Sequence, residues 1–379
     1  MARRSNGEGS IYRDGDRWVA AIFVQDPSGK VVKRKFTGKT RKEVANRLAE
    51  ARNATERNIP VASAKLTTGE FLRRWLDEAA KPSLRPKTYA SYEQSIRLHL
   101  TPSLGKIPLV KLTPLDVQSY ITAKLSEGLS PRSVQYHRTI LRRALHIAES
   151  WGFVPRNVAR LTLPPKVERH ELSPLTPDQA RAFLDEIAND RLSAVYVIAL
   201  SMGLRQGEIL ALRWGDIDFE NETLTVRATL QRHNGQYQLA DTKTAKSRRT
   251  LVMPGGVVRA LRAHRARQAE ERLRVGPAWE GERWGLVFAD QLGQPVSEFS
   301  LRRQFYAHLR AAGLPRQRFH DLRHAAATFM LTQGVPLRVA MEVLGHSQIH
   351  VTANTYSHVM PELKREAADR VGDLLFGTP

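Results

Sequence analysis

Phe319-His320-Asp321-Leu322-Arg323-His324-Ala325-Ala326-Ala327 is the stretch around which the rest of the chain can be read. Its apolar residues recur at helical spacing: Leu322, Ala325, Ala326 and Phe329 form one stripe. At about 100° per residue, His320, Arg323 and Ala327 are predicted on the opposite face, with His320 and Arg323 as neighbours. A helix that buries one side and shows a His–Arg pair on the other suits an anionic ligand. Gly334 and then Pro336 end this helix and begin another. His320 and His324 have the i, i+4 spacing of zinc ligands. However, no Glu stands beside the first and the chain has no cysteine, so the metal reading is weak.

Working outward, the 379 residues suggest two or three domains, and a 41% hydrophobic content is enough for proper cores. Lys and Arg number 59 against 38 Asp and Glu, a net charge of +21. Such an excess favours a polyanionic partner, nucleic acid or an anionic membrane surface. No apolar run reaches membrane-span length, and the longest, Leu192 to Leu204, is broken by Ser193, Ser201 and Gly203. The N-terminus lacks the apolar centre of a signal peptide, and the absence of thiol chemistry fits a reducing cytosol. Nucleic acid is the better reading of the charge.

Residues 1–60 read as a small α+β module. Strands are predicted at Ser10–Tyr12, Arg17–Gln25 and Val31–Phe36, with a turn at Asp26-Pro27-Ser28-Gly29. A capping box at Thr40–Glu43 then opens a helix carrying Val44, Leu48 and Ala51 inward. Lys33, Arg34, Lys35, Lys39, Arg41 and Lys42 crowd the last strand and the helix start. A β-ribbon of this size fits a major groove. The lysines could instead guard a sheet edge, but the charge of the whole chain favours DNA contact.

Four helices are expected between residues 64 and 154. Their start signals are Thr67 with Glu70, Arg85-Pro86, Thr113-Pro114 and Ser130-Pro131. Lys87, Arg97, Arg132, Arg138, Arg142 and Arg143 are placed on outer positions of this basic domain, with Lys87 and Arg132 as candidate DNA contacts. Residues 155–171, with Pro164-Pro165, read as a linker.

From residue 172 the chain reads as a third domain. A mostly apolar helix, Ala194–Leu200, leads to Gly203-Leu204-Arg205, where Glu208 at i+3 can hold the Arg205 guanidinium. Short strands are expected at Gly215–Phe219 and Thr223–Arg227. A hairpin follows, with Asp241–Arg249 around its turn and Thr250-Leu251-Val252 as its return strand. Leu337, Ala340, Met341 and Leu344 predict a short buried helix capped by Gly345, with His346 next and Tyr356 ten residues on.

The order Arg205-x-x-Glu208, Lys243-Thr244 on a hairpin, His320-x-Leu322-Arg323, Leu344-Gly345-His346, then Tyr356 resembles the tyrosine recombinase family of phage-integrase type, along the whole chain. The resemblance implies a multi-domain, mainly α fold with small β-sheets. Its parts would be an α+β arm-type DNA-binding module (1–60), a helical core-binding domain (64–154), a linker (155–171) and a mostly helical α+β catalytic domain (172–379). It implies Arg205, Lys243, His320, Arg323, His346 and Tyr356 as catalytic residues, with Glu208 in support. Met202 stands where the family often has Thr. Lys246 is a rival lysine on the same hairpin, and Lys243 is preferred because Lys243-Thr244-x-x-Ser247-x-Arg249 follows the family pattern.

The implied reaction is attack by a tyrosine on a DNA phosphodiester, giving a 3′-phosphotyrosine and a free 5′-hydroxyl with no metal or other cofactor and no ATP. These residue types suit it. Arginines give forked hydrogen bonds to phosphate, a histidine accepts the phenol's proton, and a lysine protonates the departing oxygen. The implied partners are double-stranded DNA attachment sites, a homotetramer on paired duplexes, and excisionase or DNA-bending accessory proteins. The implied location is the cytoplasm, at the nucleoid. Other classes are a type IB topoisomerase-like nicking-closing enzyme and a non-catalytic DNA-binding protein. The extra N-terminal module argues against the first, and the intact set of six residues against the second.

Overall fold

Strand β1 (Ser10–Asp14), β2 (Arg17–Gln25) and β3 (Val31–Gly38) form an antiparallel sheet in that order. Alternation along β2 turns Ala20, Ile22 and Val24 to one side, where they pack with Val44, Leu48 and Ala51 of helix α1 (Arg41–Glu56). The structure is a computed structural model that describes residues 9–25, 31–56, 66–168, 173–233, 235–241, 248–345 and 360–377. Two compact units divide the chain, residues 1–169 and 170–379.

On the other face of the first sheet, Phe23 is exposed opposite Lys33, whose Nζ lies 5.8 Å from the ring centroid. Lys33 and Lys35 share that exposed face. Arg34 alternates to the opposite face, half-buried like Val32 and Phe36. The basic run on β3 is therefore divided between two faces. Lys39 is exposed, and its amide donates to Glu43 Oε2 at the start of α1.

Helix α2 (Thr68–Trp75) continues through a π turn, Leu76–Ala80, to Lys81–Ser83. Helix α3 (Pro86–Ser95) likewise continues through Ile96–Leu100 to Thr101–Leu104. Helices α4 (Pro114–Ser126) and α5 (Pro131–Ser150) complete the bundle. Thr67 with Glu70, and Thr113 with Asp116, form reciprocal capping boxes, and Ser130 accepts from the Ser133 amide. Phe71, Leu72, Trp75, Ile96, Leu100, Val117, Ile121, Leu141 and Leu145 fill the core.

One basic residue departs from its expected outer position. Arg138 is half-buried and donates to Thr162 Oγ1 at 2.8 Å and to the Thr162 carbonyl at 2.7 Å. The segment after α5 folds back over it, with Val158 and Ala159 joining the core. Lys87, Arg97, Arg132, Arg142 and Arg143 are exposed.

In the second unit, α6 (Pro177–Glu186) begins at a Thr176–Gln179 capping box. Helix α7 (Ser193–Met202) is the centre of the core: Val195, Tyr196 and Ile198 are fully buried. It ends at Gly203, in the left-handed region at φ +64°, and a short helix α8 (Gln206–Ile209) follows.

The strands differ from the expected pairing. Strand β4 is only Ile217–Asp218, preceded by a 3-10 turn over Trp214–Asp216. Strand β5 (Thr223–Val226) is central in its sheet, with β4 on one side and β8 (Arg249–Val252) on the other. The hairpin is made instead by β6 (Ala228–His233) and β7 (Gln236–Asp241), with His233 paired to Gln236 at its closed end. So β8 returns not to β7 but to β5, with Leu224 opposite Leu251 in the core.

A 21-residue helix that the sequence reading passed over, α9 (Gly255–Val275), packs on α7 through Val257, Val258 and Leu261. Then follow α10 (Glu298–Ala311), α11 (Phe319–Thr332), α12 (Leu337–Leu344) and α13 (Met360–Phe376). No helix among the described residues is long and apolar enough to cross a membrane.

Candidate active site

Helix α11 buries both of its faces. Leu322 and Ala325 enter the main core as expected, but Ala327 and Leu331 join a second cluster with Ala340 and Leu344 of α12. The expected solvent-facing side, with His320, Arg323 and Ala327, is therefore mostly covered. Ala327 is fully buried, Arg323 is 2% exposed, and only His320 stays open. The cover comes from α12 and from the turn after α7, segments that the local period of α11 cannot report.

A buried guanidinium must be met by acceptors. Arg323 Nη1 donates to the Gly203 carbonyl and Nη2 to the Leu344 carbonyl, each at 2.6 Å. Both acceptors sit at helix C-termini, where carbonyls lack helical partners and the helix dipole is negative. Arg205 reaches the same place. Its Nη1 donates to Glu208 Oε1 at 2.6 Å, and its Nη2 donates to the Gly345 carbonyl at 3.1 Å.

Glu208 is 4% exposed and serves two arginines, since its Oε2 accepts from Arg249 Nη2 at 3.0 Å. Burial alone would raise the Glu208 pKa. Arg249 and then Arg205 outweigh that and hold it below the ordinary value. Arg249 Nε donates in turn to the Val343 carbonyl at 2.8 Å. Three arginines thus take three consecutive carbonyls, 343, 344 and 345, directly before His346.

His320 lies in the first turn of α11, edge-on to His324 with ring centroids 5.0 Å apart. Desolvation by the surrounding protein, then the charges of His324, Arg323 and Arg205, push its pKa down to about 4. The imidazole is therefore neutral at physiological pH and can accept a proton. The start of α11 is fixed by Asp321, which accepts from the Arg318 amide and guanidinium, both at 2.7 Å.

The structure thus brings together Arg205, Glu208, His320 and Arg323. Lys243, Lys246, His346 and Tyr356 lie outside the described residues, as does most of the loop expected to carry the lysine. Arg249 was given no role from sequence. The signal was there, in the last residue of the pattern that selects Lys243.

Rigid guanidinium groups beside a neutral imidazole define a site for phosphodiester chemistry, on a mainly helical multi-domain fold. Residues 174–362 match the phage integrase family, and residues 67–125 match the phage integrase N-terminal SAM-like domain. The chain is 31% identical to a "Tyrosine recombinase XerC-like" protein of Caldanaerobacter subterraneus, over 99% of this chain and 100% of that one. It is 32% identical to an integrase of Streptomyces ambofaciens, over 93% of each. Among solved structures, the Tn1549 transposon integrase bound to a circular intermediate DNA has a similar fold. Its TM-score is 0.69 at 23% identity, covering 81% of this chain and 99% of that one. A lambda integrase dimer on a core site also matches, with a TM-score of 0.57 at 19% identity, covering 93% and 96%. The chain belongs to the tyrosine recombinase family, and it is a site-specific DNA recombinase that cuts and rejoins DNA strands.

Proposed function

We propose that Tyr356 is the nucleophile and that Arg205, Arg323 and His346 hold the scissile phosphate of a DNA attachment site. The phenol oxygen bonds to phosphorus as the bond to the 5′-oxygen breaks. His320 accepts the phenol's proton, and Lys243 gives one to the departing oxygen. The product is a 3′-phosphotyrosine, and attack on it by a 5′-hydroxyl reverses the steps, so rejoining needs no ATP. The observation that carries this reading is the clustering of the Arg205 and Arg323 guanidinium groups on the carbonyls of Gly345 and Leu344, the two residues before His346.

The finer assignments belong to the same proposal. Residues 1–60 bind arm-type DNA sites through Lys33, Lys35 and Lys39, with Arg34 on the other face of the sheet. Residues 64–154 grip the core site, with Lys87 and Arg132 as phosphate contacts. Four copies act on two synapsed duplexes to integrate and excise a mobile element, and excisionase or DNA-bending proteins set direction. Helix α13 leaves Val371, Leu374, Leu375 and Phe376 more than half exposed, and a neighbouring subunit is their partner. The lambda integrase tetramer on a Holliday junction supports that assembly state.

Tyr356→Phe tests the centre of the proposal. The variant is expected to form no covalent protein–DNA adduct on attachment-site DNA while binding that DNA as the parent does. An adduct that survives the substitution places the nucleophile elsewhere.

A further inference from the structure

Arg249 connects three parts of the second unit that are distant in sequence. It is the first residue of β8, directly beyond the segment that carries Lys243. Its Nη2 donates to Glu208, the carboxylate that also holds Arg205, and its Nε donates to the Val343 carbonyl at the end of α12. Its side chain is 8% exposed, against 41% for that of Arg205. Gly345 is shaped to it: a β-carbon at that position, already strained at φ +66°, would stand 2.8 Å from Arg249 Nη1. A cation this buried, sharing a carboxylate with a more exposed arginine, can act on that arginine through Glu208.

We propose that Arg249 is a positioning residue for strand cleavage. Through Glu208 it fixes the direction in which Arg205 presents its remaining donors, and through Val343 it ties β8 to the turn that leads into His346. The proposal rests on the reading of Arg205 as a phosphate-binding residue. A guanidinium can meet Glu208 and Val343 at once because its donors form a rigid fork, whereas a lysine ammonium is a single point. Arg249→Lys therefore keeps one tie and loses the other.

The test uses the full chain and the attachment-site duplex of the element that encodes it, nicked beside the cleavage position so that the 5′-hydroxyl fragment is lost and the adduct accumulates. Single-turnover adduct formation is measured alongside DNA affinity and melting temperature for Arg249→Lys, Arg249→Ala, Arg205→Ala and the Arg205→Ala/Arg249→Lys pair. Misaimed stabilising donors typically cost about 100-fold in rate. Arg249→Ala is expected to lose adduct rate on that scale and Arg249→Lys about 10-fold, by the loss of its tie to either Glu208 or Val343. DNA affinity should stay within about 2-fold, because phosphate contacts elsewhere carry binding. In the Arg205→Ala background, Arg249→Lys is expected to cost nothing further.

Equal losses from Arg249→Lys with and without Arg205 overturn the relay, as does an Arg249→Lys enzyme at the parental rate. If Arg249→Ala fails to fold, the lysine variant alone decides. An Arg205→Ala enzyme at the parental rate refutes the reading of Arg205 and the proposal with it. A slow Arg205→Ala with additive losses removes only the relay.

Discussion

Gly203→Ala is expected to damage stability and chemistry together. Gly203 sits at φ +64°, where an L side chain costs about 1–2 kcal/mol. The added β-carbon would lie 2.5 Å from Leu344 Cδ2 and 3.3 Å from the Ala326 β-carbon. Leu344 is fully buried, so relief requires α12 to shift, and overpacking of this kind costs about 1–3 kcal/mol. Together the two terms make roughly 2–5 kcal/mol, which in a unit of this size lowers the melting temperature by roughly 4–20 °C. The carbonyls of Gly203 and Leu344 are also the two that hold Arg323, so moving them apart moves that guanidinium. Urea denaturation and single-turnover adduct formation would be measured on the variant, on Leu344→Ala and on the double variant. Leu344→Ala alone should cost about 2–5 kcal/mol, but it makes room for the new methyl, so the double variant should be less destabilised than the sum. Strict additivity would refute the packing argument. A destabilised Gly203→Ala enzyme that cleaves at the parental rate would refute the link between this turn and Arg323.

The remaining predictions concern a proton and a cation. The His320 pKa is depressed to about 4 from an ordinary 6.5, so the folded chain keeps this imidazole neutral where the unfolded chain protonates it. Its contribution to stability is complete above pH 6.5 and is lost as pH falls toward 4. The kcat/KM profile, which reports the free enzyme, should therefore show its acid limb below about pH 5. A limb near 6.5 that disappears on replacing His320 would overturn the assignment. Arg138→Ala should destabilise the first unit, because two hydrogen bonds to Thr162 are lost at about 0.5–1.5 kcal/mol each. It should leave the salt dependence of DNA binding unchanged, whereas Arg132→Ala should reduce that slope by about one unit. The opposite pattern in DNA titrations at several salt concentrations would reverse the two roles.

What could be read from the sequence was local, and what could not was remote. The caps at Thr67, Thr113 and Ser130 were legible because a cap involves only its own first turn. The Gly345 ending was legible for the same reason. Arg323 was expected in solvent because the period of α11 reveals one apolar stripe, and the second cover comes from α12 and a turn some 120 residues upstream. The partner of β8 was misjudged because pairing across 25 residues leaves no mark in either strand. The dipeptide Asn234-Gly235 is a turn signal in the sequence, and β6 and β7 pair on either side of it, so the hairpin lies earlier than expected. Helix α9 escaped because its buried stripe changes from Val257, Val258 and Leu261 to His264 and Gln268. These polar residues are buried because each hydrogen-bonds the Val287 carbonyl, at 2.8 and 3.0 Å. A period counted in apolar residues alone runs out there.

The charges gathered at the site explain why one carboxylate is shared. Arg205, Arg249 and Arg323 bring three positive charges, and Glu208, the acid paired with Arg205 and Arg249, brings one negative. Among these four described side chains two positive charges remain, before the proposed Lys243 is counted, and they face a phosphodiester monoanion. The Gly203 and Leu344 carbonyls meet Arg323 with partial charges, and each cancels less of its field than a carboxylate would. Glu208→Gln separates charge from geometry. It raises the positive count by one, yet its amide can accept from one arginine only and turns a donor toward the other. Leaving Arg249 without its buried charged acceptor should cost about 1–3 kcal/mol in urea denaturation. If orientation governs, adduct formation slows although the field has grown, and DNA affinity holds. If the variant cleaves faster than the parent, net charge is the controlling quantity and the account of Glu208 as the part that aims Arg205 is wrong.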